Sequence, residues 1–240
     1  DLPWEVNPLF QQWLQQHFPE RAARVMARIR EMRGGADNSL RISCPEIVQR
    51  DYLPALIASV RKRIPHFHFT LKVARIDEIE VALRSGKIDL GLATSAGTKG
   101  DGIQQHELLK MPLVLLVPEK GGPKSAEEIL ALDRIHLPLL TLPRGEPAVI
   151  AFQQELQRRK IEWFPMLELA SIDLVSRFVV EGYGAGLVLE IPGNAHPPGV
   201  RALPLEGFPM IGFHALTFGN RSAMAGIFIE EAEKVILGLH

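Results

Sequence analysis

The chain has 240 residues, of which 46% are hydrophobic and 23% charged, with a formal net charge of −1. That is room for one or two domains with a sizeable core, and the near-neutral charge excludes a general basic field for nucleic acid. No apolar run reaches the roughly 18–20 residues of a membrane span, the first residues do not read as a signal peptide, and the one cysteine, Cys44, fits a reducing compartment, so a soluble, cytoplasmic protein without membrane association is expected.

From Phe10 to Met32 the apolar residues Phe10, Leu14, Phe18, Ala22, Val25, Ile29 and Met32 recur in steps of three and four, a helical stripe. Pro19 interrupts it, so two helices are expected to meet near Phe18, and Gly34 and Gly35 end the second. The arginines from Arg21 to Arg33 read as a solvated face, with phosphate binding as the alternative.

From Ser39 onward strands and helices alternate. "LRISC" alternates Leu40, Ile42 and Cys44, and a helical pattern runs from Tyr52 through Leu53, Leu56, Ile57 and Val60 to Pro65. "HFHFTLKV" alternates Phe67, Phe69, Leu71 and Val73 as a strand. Asp77 is placed to cap a helix through Ile79 and Leu83 that Gly86 stops. "IDLGLA" reads as a buried strand.

A second series follows. Ser125 and Glu128 form a capping box for a helix to Leu132. "LPLLTL" reads as a strand, Ala148 to Arg159 as a helix, "WFPMLEL" as a strand, Ile172 to Glu181 as a helix and "GLVLEI" as a strand. "LRSGKIDLGLA" and "VVEGYGAGLVL" echo one another: helix end, glycine, apolar strand. The pattern predicts two similar α/β lobes, each a parallel sheet with helices on both faces.

Two resemblances attach to these strings. "LPWEVNPLFQQWLQQHFPERAARVMARIREMRGGADN", Leu2 to Asn38, is similar to the C-terminal tail of a radical S-adenosylmethionine protein family related to spore photoproduct lyase, with "RIREMRGG" its most specific part. That family needs three closely spaced cysteines to hold a [4Fe–4S] cluster. Only Cys44 exists and it lies outside the segment, so neither the activity nor the cofactor carries over.

"SLRISCPEIVQRDYLPALIASVRKRIPHFHFTLKVARIDEIEVALRSGKIDLGLATS" resembles the start of the effector-binding domain of LysR-type transcriptional regulators. "LVLLVPEKGG", "LASIDLVSRFVVEGYGAGLVLEIPG", "VRALPL" and the closing Ser222 to Leu237 helix follow in that family's order. The resemblance covers Ser39 to His240 and implies a two-lobed α/β fold of the periplasmic-binding-protein-like (type 2) class behind a helical N-terminal extension, residues 1–38. Lobe one would take residues 39–117 and 213–240, lobe two residues 118–212, with two crossover strands. It also implies a small-molecule effector, a homodimer, binding rather than catalysis, and DNA contact only through a winged helix-turn-helix that is not read in this chain. A solute-binding protein, or an accessory module docking on a radical enzyme through Leu2 to Asn38, are the alternatives.

Ligands of such sheets sit beyond the carboxyl ends of strands, near helix N-termini. After the first strand come Ser43, Cys44 and Glu46, with Pro45 and Ile47 at positions where the resembling family often has hydroxyls. Glu46 suits an amine or hydroxyl, or simply begins a helix; Cys44 also fits a small buried strand residue. Arg75, before Asp77, can pair with a carboxylate or phosphate. Thr94 and Ser95 follow "IDLGLA", where the family commonly places a hydroxyl. In the second series Thr141 and Arg144 precede a helix, and Ser171 starts another, for which capping alone is sufficient. No metal-ligand spacing is present: His66 and His68 of "HFH" read as a strand edge, and "GYGAG" follows a helix and precedes a strand, the reverse of a dinucleotide loop.

Overall fold

A computed structural model describes Trp13, Gln16, His17 and residues 39–95 and 102–238. Apart from Trp13, Gln16 and His17, which are helical, the two helices expected to meet near Phe18 lie outside those residues. Two units divide the chain, one reaching Leu108 and resuming at Phe213, the other running from Leu109 to Gly212.

The sheet of unit one has the order β2-β1-β3-β10-β4. β1 (Ser39–Cys44) pairs in parallel with β2 (His68–Val73) and β3 (Leu90–Ser95). Leu40, Ile42 and Cys44 enter the core, and Ser43 is buried too, as expected for a strand covered on both faces. The helix expected from Tyr52 is preceded by a separate one: α1 (Glu46–Asp51) ends at Tyr52 and α2 (Leu53–Arg63) begins there. Pro54 in the first turn of α2 lacks the N–H a continuous helix would use.

α2 buries Leu53, Leu56, Ile57 and Val60 in one cluster with Phe228, Ile229 and Ala232 of α7 (Ala223–Leu237). The Ser59 hydroxyl donates to Glu231 at 2.5 Å inside that helix pair. α3 (Ile76–Arg84) is capped at Arg75 and not at Asp77, with the Arg75 N–H donating to Glu78 Oε2 at 3.0 Å. β4 (Ile103–Met111) is a strand the sequence pattern did not mark, because its apolar positions do not alternate cleanly. β4 and β10 (Ile211–Phe218) are the strands along which the chain passes from one unit to the other.

The sheet of unit two has the order β7-β6-β8-β5-β9. β6 (Leu139–Thr141) runs parallel to β7 (Pro165–Glu168) and β8 (Ala185–Leu189), whereas β5 (Leu113–Pro118) is antiparallel to β8 and to β9 (Val200–Pro204). The parallel sheet expected from the alternating pattern is therefore mixed. An apolar run such as "LVLLV" reports burial on both faces but not direction. Those pairings also put residues 113–117 in unit two, whereas the sequence reading gave them to lobe one.

α5 (Pro147–Arg158) and α6 (Ile172–Val180) flank this sheet, and α4 (Ala126–Leu130) follows β5. At α4 the Ser125 hydroxyl accepts from the Glu128 N–H, while the Glu128 carboxylate accepts from the Lys124 N–H and not from that of Ser125. The core joins Val114, Leu116, Leu140, Val175, Val179 and Val188. Phe152 meets Trp163 edge-on, and the Trp163 indole N–H donates to the Leu137 carbonyl at 2.8 Å, so the buried ring keeps a polar partner. Among the described residues no helix is long and apolar enough to cross a membrane.

Candidate functional site

The parallel registers decide where the chain leaves each sheet. In unit one Cys44 stands opposite Val73, and Ser43 opposite Gly91. The exits at Pro45–Glu46, Ala74–Arg75 and Thr94–Ser95 therefore share one edge, and the Ala74 N–H bonds the Cys44 carbonyl at 3.3 Å to fix two of them together. Glu46 is exposed and opens α1, where an acid suits the helix dipole. Arg75 is exposed, Thr94 is half-buried, and Ser95 is the last residue of β3.

Ser43 and Cys44 lie beneath that edge, 2% and 0% exposed. Burial pushes the Cys44 thiol up to about 12, against a hydrogen bond from Gln49 that acts the other way. A thiol that stays neutral is a poor nucleophile and metal ligand at neutral pH, and Cys44 packs in the core cluster of unit one.

In unit two Thr141 stands opposite Glu168, and Leu140 opposite Gly186. β6, β7 and β8 thus also end at one edge. Thr141 is buried and its hydroxyl donates to the Leu142 carbonyl at 2.7 Å. Arg144 is engaged by Glu168, which accepts from both its backbone N–H and its guanidinium. Ser171 caps α6, its hydroxyl accepting from the Leu174 N–H at 3.3 Å.

One residue at this edge was not singled out from the sequence. Glu190 follows β8 directly, and its Oε2 accepts from His196 Nε2 at 2.7 Å; a carboxylate only accepts, so the imidazole nitrogen carries the proton. The signal was an acid closing a buried apolar strand, followed within a Pro/Gly-rich loop by a histidine.

From Arg144 an open groove of about 800 Å³ runs along α5 and residues 160–165, lined also by Ile150, Gln153, Gln157, Lys160 and Phe164 among others. Among the described residues no group of three or more His, Cys, Asp or Glu is placed to hold a metal. His68 opens β2 while His66 precedes it, and both are exposed.

Each edge by itself gathers hydroxyl, carboxylate and guanidinium groups around chain exits, a chemistry suited to holding a polar ligand by hydrogen bonds. Comparison with known proteins bears on family and fold. The family model of the LysR substrate binding domain matches residues 33–232, starting within the segment assigned above to the extension. The HTH-type transcriptional regulator cbl of Klebsiella aerogenes is 26% identical over 161 residues, 67% of this chain and 51% of that protein. The chain therefore spans about half the length of the curated relative it matches.

Among solved structures, the effector binding domain of a BenM variant aligns with a TM-score of 0.72 at 15% identity, covering 84% of this chain and 95% of that one. The effector binding domain of QuiR in complex with shikimate aligns with a TM-score of 0.68 at 15% identity, covering 82% and 95%. At such identities the likeness is one of fold, and the fold is the two-lobed type 2 periplasmic-binding-protein-like class expected from the sequence. The family assignment rests on the model that spans most of the chain: the protein belongs to the LysR substrate-binding-domain family and is an effector-binding domain of a LysR-type transcriptional regulator.

Proposed function

We propose that this chain is the sensory part of a cytoplasmic regulator. Candidates to hold a small polar effector are Glu46, Arg75, Thr94 and Ser95 at the edge of unit one and, separately, Arg144 at the edge of unit two. The observation that carries this reading is the parallel register in each unit, which brings residues distant in sequence to one carboxyl edge. DNA is contacted through a winged helix-turn-helix outside these residues, and the chain binds its ligand without transforming it.

Self-association as a homodimer is supported by β7, an edge strand, with Phe164 at 71% and Met166 at 69% exposure on or beside it. Large apolar side chains on an unpaired edge invite a partner. α2 offers Pro54, Ala55 and Ala58 outward, small enough for close approach.

An effector at a hundredfold excess over its dissociation constant is expected to stabilise the chain by about 2.7 kcal/mol. Thr94→Val keeps the shape and removes the hydroxyl, so affinity falls roughly tenfold, or about 1.4 kcal/mol. Calorimetry showing unchanged affinity removes Thr94 from the site. Sedimentation of Met166→Asp tests the dimer: a species unchanged from wild type rejects β7 as its surface.

A further inference from the structure

We propose that Glu190, positioned by His196, is the hydrogen-bond acceptor that unit two offers to the effector, and that the effector accordingly carries a hydroxyl or ammonium donor. This rests on the effector-binding reading above.

Placement comes first. β8 is buried along its whole length and lies between β6 and β5. Glu190 leaves it at the edge where Arg144 and Ser171 also emerge. Its backbone is fixed there by the N–H bond to the Pro112 carbonyl at 3.0 Å.

The side chain is fixed as well. His196 holds Oε2 at 2.7 Å, and Oε1 accepts no hydrogen bond from the described residues. The imidazole is the more enclosed partner, 22% exposed against 42% for the carboxylate, so the acid is the member of the pair that faces outward. The loop carrying His196 contains Pro192, Pro197 and Pro198, whose locked φ angles restrict it. An ordinary surface glutamate loses rotamer freedom when a ligand binds, whereas this one has lost it already.

The chemistry follows from charge. Arg144, the cation at this edge, is engaged by Glu168. A carboxylate accepts only, and a charged acceptor bonds roughly twice as strongly as a neutral one. A ligand that approaches with only carboxylate oxygens meets repulsion at Glu190, whereas a hydroxyl or ammonium completes its Oε1. The pair is more than a loop tie, because a tie requires neither an outward-facing acid nor a free second oxygen.

The test uses the full chain at neutral pH. Its melting temperature is followed with shikimate, myo-inositol and ethanolamine, which carry hydroxyl or ammonium donors, and with benzoate and acetate, which carry none. Calorimetry then gives the affinity of the best stabiliser for wild type, Glu190→Gln, His196→Ala and His196→Gln. The best stabiliser should be a donor, and Glu190→Gln should weaken it about tenfold, the equivalent of ~1.4 kcal/mol. His196→Ala should weaken it severalfold and His196→Gln should restore it, since a glutamine amide can donate to the same carboxylate. A purely structural role predicts no such rescue of affinity. A best stabiliser without donors, or unchanged affinity in Glu190→Gln, overturns the inference and leaves the effector reading standing. If no probe stabilises the wild-type chain, both fall together.

Discussion

The two units contain the same helix–glycine–strand turn, built differently. In unit one α3 ends at Gly86 (φ 64°) and leads to β3; in unit two α6 ends at Gly182 (φ 81°) and leads to β8. Each strand then carries a glycine directly under its helix. A methyl group at Gly91 would lie 2.3 Å from Ile79 Cγ2; one at Gly186 would lie 2.5 Å from Val175 Cγ1 and 2.8 Å from Val179 Cγ2. The starts of the strands differ more. Unit one clips β1 to β3 with Arg41 and Asp89, through three hydrogen bonds of 2.7–3.0 Å. Unit two uses a backbone bond, from the Ala185 N–H to the Pro138 carbonyl at 2.9 Å, at a close approach that leaves no room for a side chain: a Cβ at Gly184 would sit 2.2 Å from that carbonyl oxygen. One packing problem is thus solved once by charge and once by the absence of a side chain.

The glycines under the helices give the largest expected effects. Gly186→Ala should destabilise by about 3 kcal/mol and Gly91→Ala by about 2 kcal/mol, both in the range for overpacking. The order follows from two β-branched neighbours against one, each stiff about χ1. Urea midpoints measure both, and equal losses would show that α6 yields as readily as α3.

Next comes the polar clip. Asp89→Ala removes a bidentate partner of Arg41 and an acceptor for its backbone N–H, and should cost about 2 kcal/mol on the scale of charged hydrogen bonds. The pair is only partly exposed, with side chains at 34% and 22%, so screening by water does not erase it. A loss below about 0.5 kcal/mol, the level of an open surface pair, would mean that β1 and β3 need no clip.

These contrasts explain what the sequence disclosed. Glycines after helical stripes, proline at Pro54 and apolar alternation mark chain direction and burial locally, and they located most elements to within a few residues. Strand direction depends on which strand pairs with which, so the antiparallel placement of β5 had no local signature. β4 escaped because His106, Glu107 and Lys110 interrupt its apolar positions. Residues at strand exits were legible because strand ends were. Which exit residues already have partners was less so: the Ser171 cap was legible, but Thr141 bonds the very next carbonyl, and Arg144 answers Glu168, a partner from another strand. Glu190 was hidden for the opposite reason, since an acid before "IPG" reads as the start of a turn.

A smaller contrast concerns two nearly buried glutamates on helices. In unit two, hydrogen bonds from Arg158 and then Arg159 hold the Glu155 carboxyl well below the usual carboxylate range, at about 2. In unit one, Lys234 first and Ser59 second hold Glu231 below the usual carboxylate range. Both folded values are depressed, so the stability these groups contribute is present above the ordinary carboxylate range. It is lost as pH falls through that range towards the folded value. Glu155→Gln should therefore flatten the acid limb of the stability curve, and Glu231→Gln should flatten it less. Urea midpoints across the acid range check this, and identical limbs for wild type and Glu155→Gln would refute it.

The smallest expected effect is a gain. α3, α5 and α6 end in the same two-bond closure. Gly86, Lys160 and Gly182 bond back to Leu83, Gln157 and Val179, and the residue after each bonds back to Ala82, Leu156 and Phe178. Two of the three left-handed positions hold glycine, and the third holds Lys160 at φ 59°. An L-residue pays roughly 1–2 kcal/mol for that conformation. Glycine escapes the cost but loses more freedom on folding, by roughly 0.5–1 kcal/mol. Lys160→Gly should therefore stabilise unit two by about 0.5 kcal/mol, and Gly86→Lys should destabilise unit one by a similar amount. Opposite shifts of the urea midpoint are the expected result. If Lys160→Gly instead destabilises, the lysine side chain at the rim of the α5 groove contributes more than its backbone costs, and the two helix ends are not equivalent after all.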